Sequence, residues 1–344
     1  MKIWFPTVRG GSGADIHTRR LAAALEKRGV DATVTWFSIY YQFAPFILSR
    51  IAPPSGTNVI HALSWWGFAF KRPKVPLLVT EQLDVLGPAF RPYQSGLQLL
   101  FHQALIRNFM RESFAAADAV TAVSRSTAAS LARTIRCTHA RVIPNFVETD
   151  VFRPISNPPA VRGPFKLLFM GNLTRRKGAD LLAPIMKQLG KNFELRYTTG
   201  LRDRRRITAA PNMTSIGKLD GDEELVTAYQ ACDALLFPSR LEGLPIAVLE
   251  AMACAKPVVA ARASSMPEVV EHGTTGLLCE PDNVSDFVEA CVRLADSPES
   301  RGRFGAAGRA RVEQLFSERV VVPQYIEVYE SLIQKNRADL LLFP

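Results

Sequence analysis

Asp233–Ala260 reads DALLFPSRLEGLPIAVLEAMACAKPVVA, and the order of its residue types decides the fold. Ala234 to Phe237 is a short apolar run, as expected of a parallel strand buried on both faces. Pro238 stops it, and Ser239-Arg240-Leu241-Glu242-Gly243-Leu244 follows as a loop. Pro245 suits the first helical position, where its missing N–H costs nothing. A helix from Ile246 to about Cys254 and a strand from Pro257 complete the unit. A helix that opens just after a strand leaves its first N–H groups without intrahelical partners. Those groups, with the helix dipole, make a site for an anion, above all a phosphate. Glu242 stands at the mouth of this helix, and Glu250 lies ~7.5 Å along its axis from Pro245 at the usual rise per residue. A ligand with phosphates on the helix mouth would meet one acid on each side, which is the layout of a nucleotide sugar.

The start of the chain has the same pattern. Lys2 to Val8 reads as a strand, Arg9 to Asp15 as a glycine-rich turn, Ile16 to Arg28 as a helix, and Val30 to Phe37 as the next strand, a doubly wound opening. Ile16 occupies the third glycine position of a dinucleotide fingerprint, and the second strand ends in Thr35-Trp36-Phe37-Ser38 without an acid for a ribose, so an NAD-dependent dehydrogenase is excluded. Gly11 and Gly13 still allow a phosphate to approach the backbone. Asn58 to Ala62 and Pro76 to Thr80 read as further strands, the latter ending in Glu81-Gln82-Leu83-Asp84. Tyr93 to Ala117 reads as one long helix whose apolar stripe, including Leu97, Leu100 and Leu105, is expected to be core. Lys71, Arg72, Lys74 and Arg91 are expected to meet a membrane or an acceptor. Ser124 is placed to cap a helix over Arg125 to Arg133. The proline-rich stretch 155–164 is the expected linker. Beyond it Phe165 to Met170 reads as a strand, and Gly171-Asn172-Leu173-Thr174-Arg175-Arg176-Lys177-Gly178 as a basic loop before a helix. That arrangement suits a diphosphate whose charge must be neutralised as it departs. Arg202 to Arg206 reads as an exposed charge run.

At 344 residues the chain is long enough for two domains. No apolar run reaches the ~18 residues that span a bilayer, and the N-terminus lacks a signal-peptide pattern. The five cysteines and five histidines have no metal-ligand spacing, so reduced thiols, no metal, no cofactor and a cytoplasmic location, peripheral on the inner membrane face, are expected. The net charge of +10 is carried entirely by residues 1–163, which hold 19 Lys+Arg against 9 Asp+Glu. A basic first half calls for an anionic partner. Nucleic acid is set aside, because no recognition motif is present and no aromatic series interleaves the cations.

The composite Pro238-Ser239, Glu242, Glu250-Ala251-Met252-Ala253 and Pro257-Val258-Val259 resembles the signature of retaining glycosyltransferases of family 4. Lys177-Gly178 matches the family's loop, although Asn172 stands where its arginine does. Ile143-Pro144-Asn145 with Phe152-Arg153-Pro154, the Gly217-Lys218-Leu219 loop and the run from Met266 to Leu278 resemble further family segments. The resemblance implies an α/β fold of two Rossmann-like doubly wound domains facing a cleft, the B-type glycosyltransferase fold. Residues 1–160 would bind acceptor, residues 161–319 donor, and a last helix over about 320–344 would pack back on the first domain. The implied activity is a hexosyltransferase reaction, moving a sugar from a nucleotide-diphosphate donor to an acceptor hydroxyl with retention, in surface glycan or lipopolysaccharide assembly. Glu242 would bind donor sugar hydroxyls and Glu250 the ribose diol. Lys177, an adjacent arginine (Arg175 or Arg176) and backbone N–H groups near Gly243 to Ile246, a mouth formed by Gly243, Leu244, Pro245 and Ile246, would hold the diphosphate. Glu242, Lys177 and Arg176 form the expected catalytic set. Gly11, Gly13, Asn172, Lys218 and Ser239 join the donor side. Gln82, where the family often has histidine, and His17 join the acceptor side, facing a saccharide or lipid-linked acceptor. A nucleotide-sugar binding protein without transfer, favoured by Gln82 and Asn172, and a same-fold epimerase are the alternatives.

Overall fold

The computed structural model describes residues 1–155, 163–200 and 207–342, with side chains described as far as 338. Most of the expected linker and all of Arg202–Arg206 lie outside the described residues. Two compact units emerge: Met1–Asn145 with Val321–Pro344, and Phe146–Val320.

The first unit is built on a six-stranded parallel sheet in the order β2-β1-β3-β4-β5-β6. Its strands are β1 Lys2–Val8, β2 Asp31–Phe37, β3 Val59–Leu63, β4 Leu77–Glu81, β5 Ala119–Ala122 and β6 Arg141–Val142. β1, β3 and β4 are almost wholly buried, as continuous apolar strands must be when both sheet faces are covered. Helix α1, Gly13–Glu26, buries Leu21, Ala22, Ala24 and Leu25. The expected long helix is interrupted. α2 covers Gly96–Phe101, a π-helical turn covers His102–Ile106, and α3 covers Arg107–Ala116. Its stripe divides too. Ile106 and Met110 are core, whereas Leu97, Leu100 and Leu105 are exposed, which corrects the expectation for those three. Two of the four cations expected to face a membrane serve the fold: Lys71 pairs with Asp118 at 2.5 Å, and Arg72 donates to the carbonyls of Ala69, Lys71, Ser49 and Ile51. Ser124 caps α4, Arg125–Thr134, accepting from Thr127 N–H at 3.0 Å.

The second unit repeats the architecture, with sheet order β12-β11-β10-β7-β8-β9. The strands are β7 Phe165–Phe169, β8 Phe193–Thr198, β9 Met213–Gly217, β10 Ala234–Phe237, β11 Val258–Ala261 and β12 Gly276–Cys279. The connecting helices are α5 Ala179–Leu189, α6 Asp222–Gln230, α7 Ile246–Ala253, α8 Met266–Val269, α9 Val284–Asp296 and α10 Pro298–Leu315, followed by α11, Glu318–Leu342. One core cluster runs from Leu167 and Phe169 through Leu182, Ile185 and Met186 to Phe287 and Leu294, joining the sheet to α5 and α9. β7 pairs with β8 on one side and β10 on the other. The chain therefore winds outward in both directions from β7, which puts the switch point, where sheets of this kind form their crevice, at the strand C-termini between the β7–α5 and β10–α7 loops. Ligands bind at such a switch point in doubly wound sheets.

Candidate active site

The two loops at that crevice carry the residues singled out in the sequence. They approach so closely that one backbone position admits only glycine. Gly178 has φ +74, and a Cβ there would stand 2.2 Å from the Pro238 carbonyl oxygen. Arg240 fastens the pair. Its backbone N–H donates to the Arg176 carbonyl at 2.9 Å, while its guanidinium reaches the Arg175 carbonyl and the carboxylates of Asp180 at 2.7 Å and Asp282 at 2.5 Å.

This fastening brings Lys177, Arg176, Ser239 and Glu242 together. Lys177 Nζ lies 2.6 Å from Glu242 Oε1, and Arg176 Nη1 lies 3.6 Å from Oε2 and also donates to the Leu241 carbonyl. Ser239 Oγ donates to Glu242 Oε1 at 2.5 Å. The Lys177 ammonium also sits 5.2 Å from the Phe237 ring centroid, a cation–π contact. Arg176 is thus the arginine of the pair that reaches Glu242; Arg175 is exposed. Burial works to raise the Glu242 carboxyl, but the Lys177 and Arg176 cations and the Ser239 hydroxyl outweigh it and hold the group below the usual carboxylate range. For Lys177 burial prevails over the pairing with Glu242, the Arg176 charge adds to it, and the amine lies below the usual lysine range.

Two further serines grip the Glu242 backbone, and sequence reading missed both. Ser264 Oγ accepts from Glu242 N–H at 2.9 Å, and Ser265 Oγ donates to the Glu242 carbonyl at 3.3 Å. Ser264 holds φ +48, a left-handed conformation that costs a non-glycine residue about 1 kcal/mol or more. The strain is tied to a hydrogen bond at the site, which separates stability from activity in an experiment. Ser264→Gly relieves the strain and removes the bond, so unfolding stability should change by less than about 1 kcal/mol while turnover falls about tenfold. Turnover unchanged beside unchanged stability would show that Ser264 does not position Glu242.

The helix mouth is polar backbone without a side-chain cap. Pro245 stands at the cap position, one residue before the expected first helical position, and α7 begins at Ile246. Gly243, Leu244, Pro245 and Ile246 are buried around it. Glu250, on the same helix, is buried and accepts from the Tyr229 hydroxyl at 2.7 Å; Tyr229 on α6 was not foreseen. Asn172 packs against the end of β8, so closely that a Cβ on Gly200 (φ +76) would meet its Oδ1 at 2.1 Å. Lys218 is not brought into this cluster. It is exposed and paired with Asp220 at 2.5 Å. The buried thiols offer no nucleophile, since burial pushes Cys232 and Cys291 up to about 12. Among the described residues no group of three His, Cys, Asp or Glu is placed to hold a metal ion.

In the first unit the glycine turn is occupied by its own chain. The N–H groups of Gly10 and Gly11 donate to the Asp15 carboxylate, at 2.9 and 2.7 Å, and Gly13 opens α1. His17 is buried, with its Nε2 3.4 Å from the Tyr325 hydroxyl, and burial followed by the Arg20 charge lowers its pKa to about 4. His61, likewise buried, is lowered to about 3 and bonds Tyr329 at 2.8 Å and Thr80 at 2.6 Å. Gln82 Nε2 is buried with no hydrogen-bond partner among the described residues. Its neighbour Glu81 was passed over in the sequence. It too has a buried oxygen, Oε2, with no hydrogen-bond partner among the described residues, and burial raises its carboxyl to about 8.

Comparison with known proteins agrees with this geometry. Residues 164–297 match the family model described as glycosyl transferases group 1, and residues 35–151 match glycosyltransferase family 4. Alpha-maltose-1-phosphate synthase of Mycolicibacterium smegmatis is 29% identical over 95% of this chain and 97% of its own. The MMP alpha-(1->4)-mannosyltransferase of Mycolicibacterium hassiacum is 29% identical over 57% of this chain. The chain spans about half the length of several curated relatives, 49% for that mannosyltransferase. Among solved structures, sucrose-phosphate synthase from Thermosynechococcus elongatus superposes with a TM-score of 0.81 at 21% identity, over 97% of this chain and 100% of its own. Anabaena HepE in complex with UDP-glucose gives 0.77 at 18% identity, over 96% and 100%. Two doubly wound units of this topology are the B-type glycosyltransferase fold, and the chain belongs to the glycosyl transferase superfamily.

Proposed function

We propose that the protein is a retaining hexosyltransferase that moves a sugar from a nucleotide-diphosphate donor to an acceptor hydroxyl in glycan assembly. The observation that carries this reading is the Lys177–Glu242 ion pair, flanked by Arg176, at the switch-point crevice beside an uncapped helix mouth. The donor's diphosphate would rest on the backbone N–H groups of Gly243, Leu244 and Ile246 around Pro245 and draw Lys177 and Arg176 away from Glu242. The carboxylate, released from its pair, still bonded by Ser239 and with its backbone held by Ser264 and Ser265, could then accept from donor sugar hydroxyls. The two cations neutralise the leaving group as the glycosidic bond breaks, the step at which fixed charge lowers the barrier most. No protein nucleophile is required, because the departing phosphate oxygen can take the acceptor proton. The partnerless Gln82 amide would donate to a hydroxyl of acceptor or donor, and it has no proton to exchange as an imidazole would. HepE, whose structure with UDP-glucose shares this fold, supports a nucleotide-sugar donor.

Glu250 would hold the ribose diol, with Tyr229 orienting it. Glu250→Ala should raise the donor KM about ten- to a hundredfold, the value of one or two hydrogen bonds to a charged group, and leave kcat within a few-fold. A pure kcat loss in steady-state kinetics would contradict this role. A thermal-shift screen across UDP-, GDP- and ADP-sugars tests the reading as a whole, since a ligand confined to the folded state raises Tm by mass action. Stabilisation by one nucleotide class, followed by transfer of its sugar, is expected. The charge of residues 1–163 supports a membrane-borne or phosphate-bearing acceptor.

A further inference from the structure

The first unit has an exposed apolar surface that its own fold does not use. Two segments form it. Residues 39–51, between β2 and β3, expose Tyr40 (77%) and Phe46 (59%). α2 exposes Leu97 (78%) and Leu100 (64%), three residues apart and therefore on one helix face. The Phe43 and Phe101 rings, 5.1 Å apart, join the segments. Both are held in shape beforehand. Arg72 donates to the carbonyls of Ser49 and Ile51, and a capping box between Ser95 and Gln98 closes the start of α2.

Charge identifies what this surface meets. From Ala32 to Arg111 the chain has seven Lys+Arg; Lys71 is paired with Asp118 and Arg72 is taken up by backbone carbonyls, which leaves Arg50, Lys74, Arg91, Arg107 and Arg111, while the only carboxylates of the stretch are Glu81 and Asp84 and the exposed Glu112 follows it. Both carboxylates are buried, so this stretch presents cations to solvent without an exposed acid. A second copy of the chain docked through this same stretch would oppose cation with cation. An anionic lipid surface opposes them with phosphate, and it accepts the exposed aromatic and leucine side chains into its acyl boundary. No described helix is long and apolar enough to cross a membrane, so the contact is interfacial.

We propose that residues 39–51 and α2 form a preformed platform that inserts Tyr40, Phe46, Leu97 and Leu100 into the interface of an anionic bilayer. This deepens the membrane-borne acceptor reading and rests on it. The test is flotation of the full chain with vesicles of phosphatidylcholine alone or mixed with phosphatidylglycerol, for the wild type and for the triple variant Phe46→Ser, Leu97→Gln, Leu100→Gln. These side chains are exposed, so the variant should keep the wild-type Tm. The wild type should float with the anionic vesicles only, and the variant's partitioning should fall at least about tenfold, as loss of inserted apolar area requires. A variant that floats as the wild type does would overturn the platform and leave membrane association by charge standing. A wild type that fails to float with either vesicle would overturn both. A wild-type dimer in sedimentation that the triple variant converts to monomer, without flotation, would assign the surface to a second copy and overturn the proposal.

Discussion

Lys177→Ala is expected to lower turnover by two or more orders of magnitude, corresponding to roughly 3–4 kcal/mol of lost stabilisation of a departing diphosphate. The magnitude follows from where the ammonium sits: largely buried, 2.6 Å from Glu242 and aided by Arg176. In such surroundings a fixed cation acts on developing phosphate charge with little solvent screening. The substitution also leaves Glu242 short of one counter-charge, so folding must be measured beside chemistry. Arg176 and Ser239 still reach the carboxylate, and the variant should fold with a lowered Tm. Single-turnover rates at saturating donor isolate the chemical step. An unchanged rate there would remove Lys177 from the mechanism.

The second large effect concerns stability and pH in the first unit. Glu81 has its carboxyl raised to about 8 by burial, against an ordinary value of 4.5. The folded state therefore holds a proton that the unfolded state releases above pH 4.5, and stability falls as pH rises from there through 8. The full effect is on the order of 5 kcal/mol. His17 and His61 act in the opposite sense. Burial keeps both neutral in the folded unit, down to about 4 and about 3, whereas the unfolded chain protonates them below 6.5. Stability is thus lost as pH falls below 6.5, and the two limbs place an optimum near pH 6.5. Glu81→Gln should remove the alkaline limb, with urea unfolding showing the variant more stable than the wild type by several kcal/mol at pH 8.5 and close to it at pH 4.5. A parallel decline of both proteins above pH 6.5 would assign the loss to other groups.

Much of this was legible in the chain. The strand-loop-helix at 233–260 could be read because parallel strands buried on both faces appear as unbroken apolar runs, and proline and glycine mark where they stop. Glu242 and Glu250 stood out by their places at the mouth and on the body of one helix. The partner of Glu242 could be assigned only in part. Lys177 lies 65 positions earlier, and its contact depends on β7 pairing with β10 across a crossover. Ser264 and Ser265 sit in an irregular loop after β11, where no periodicity signals a role. The exposure of Leu97 and Leu100 was hidden for another reason. An apolar stripe at helical spacing shows that a face exists, not whether the chain itself covers it. Glu81 went unread because a single acid at a strand end looks like solvated charge until the sheet around it is known.

The central claim is that the loops after β7 and β10 hold a diphosphate between Lys177, Arg176 and the mouth of α7. Calorimetric titration of UDP, GDP and ADP into the wild type and Lys177→Ala tests it most directly. One nucleoside diphosphate should bind the wild type at one site per chain, with at least about thirtyfold loss of affinity in the variant, as removal of a charged phosphate contact implies. Equal affinity of the two proteins, or no binding of any of the three to the wild type, would contradict it.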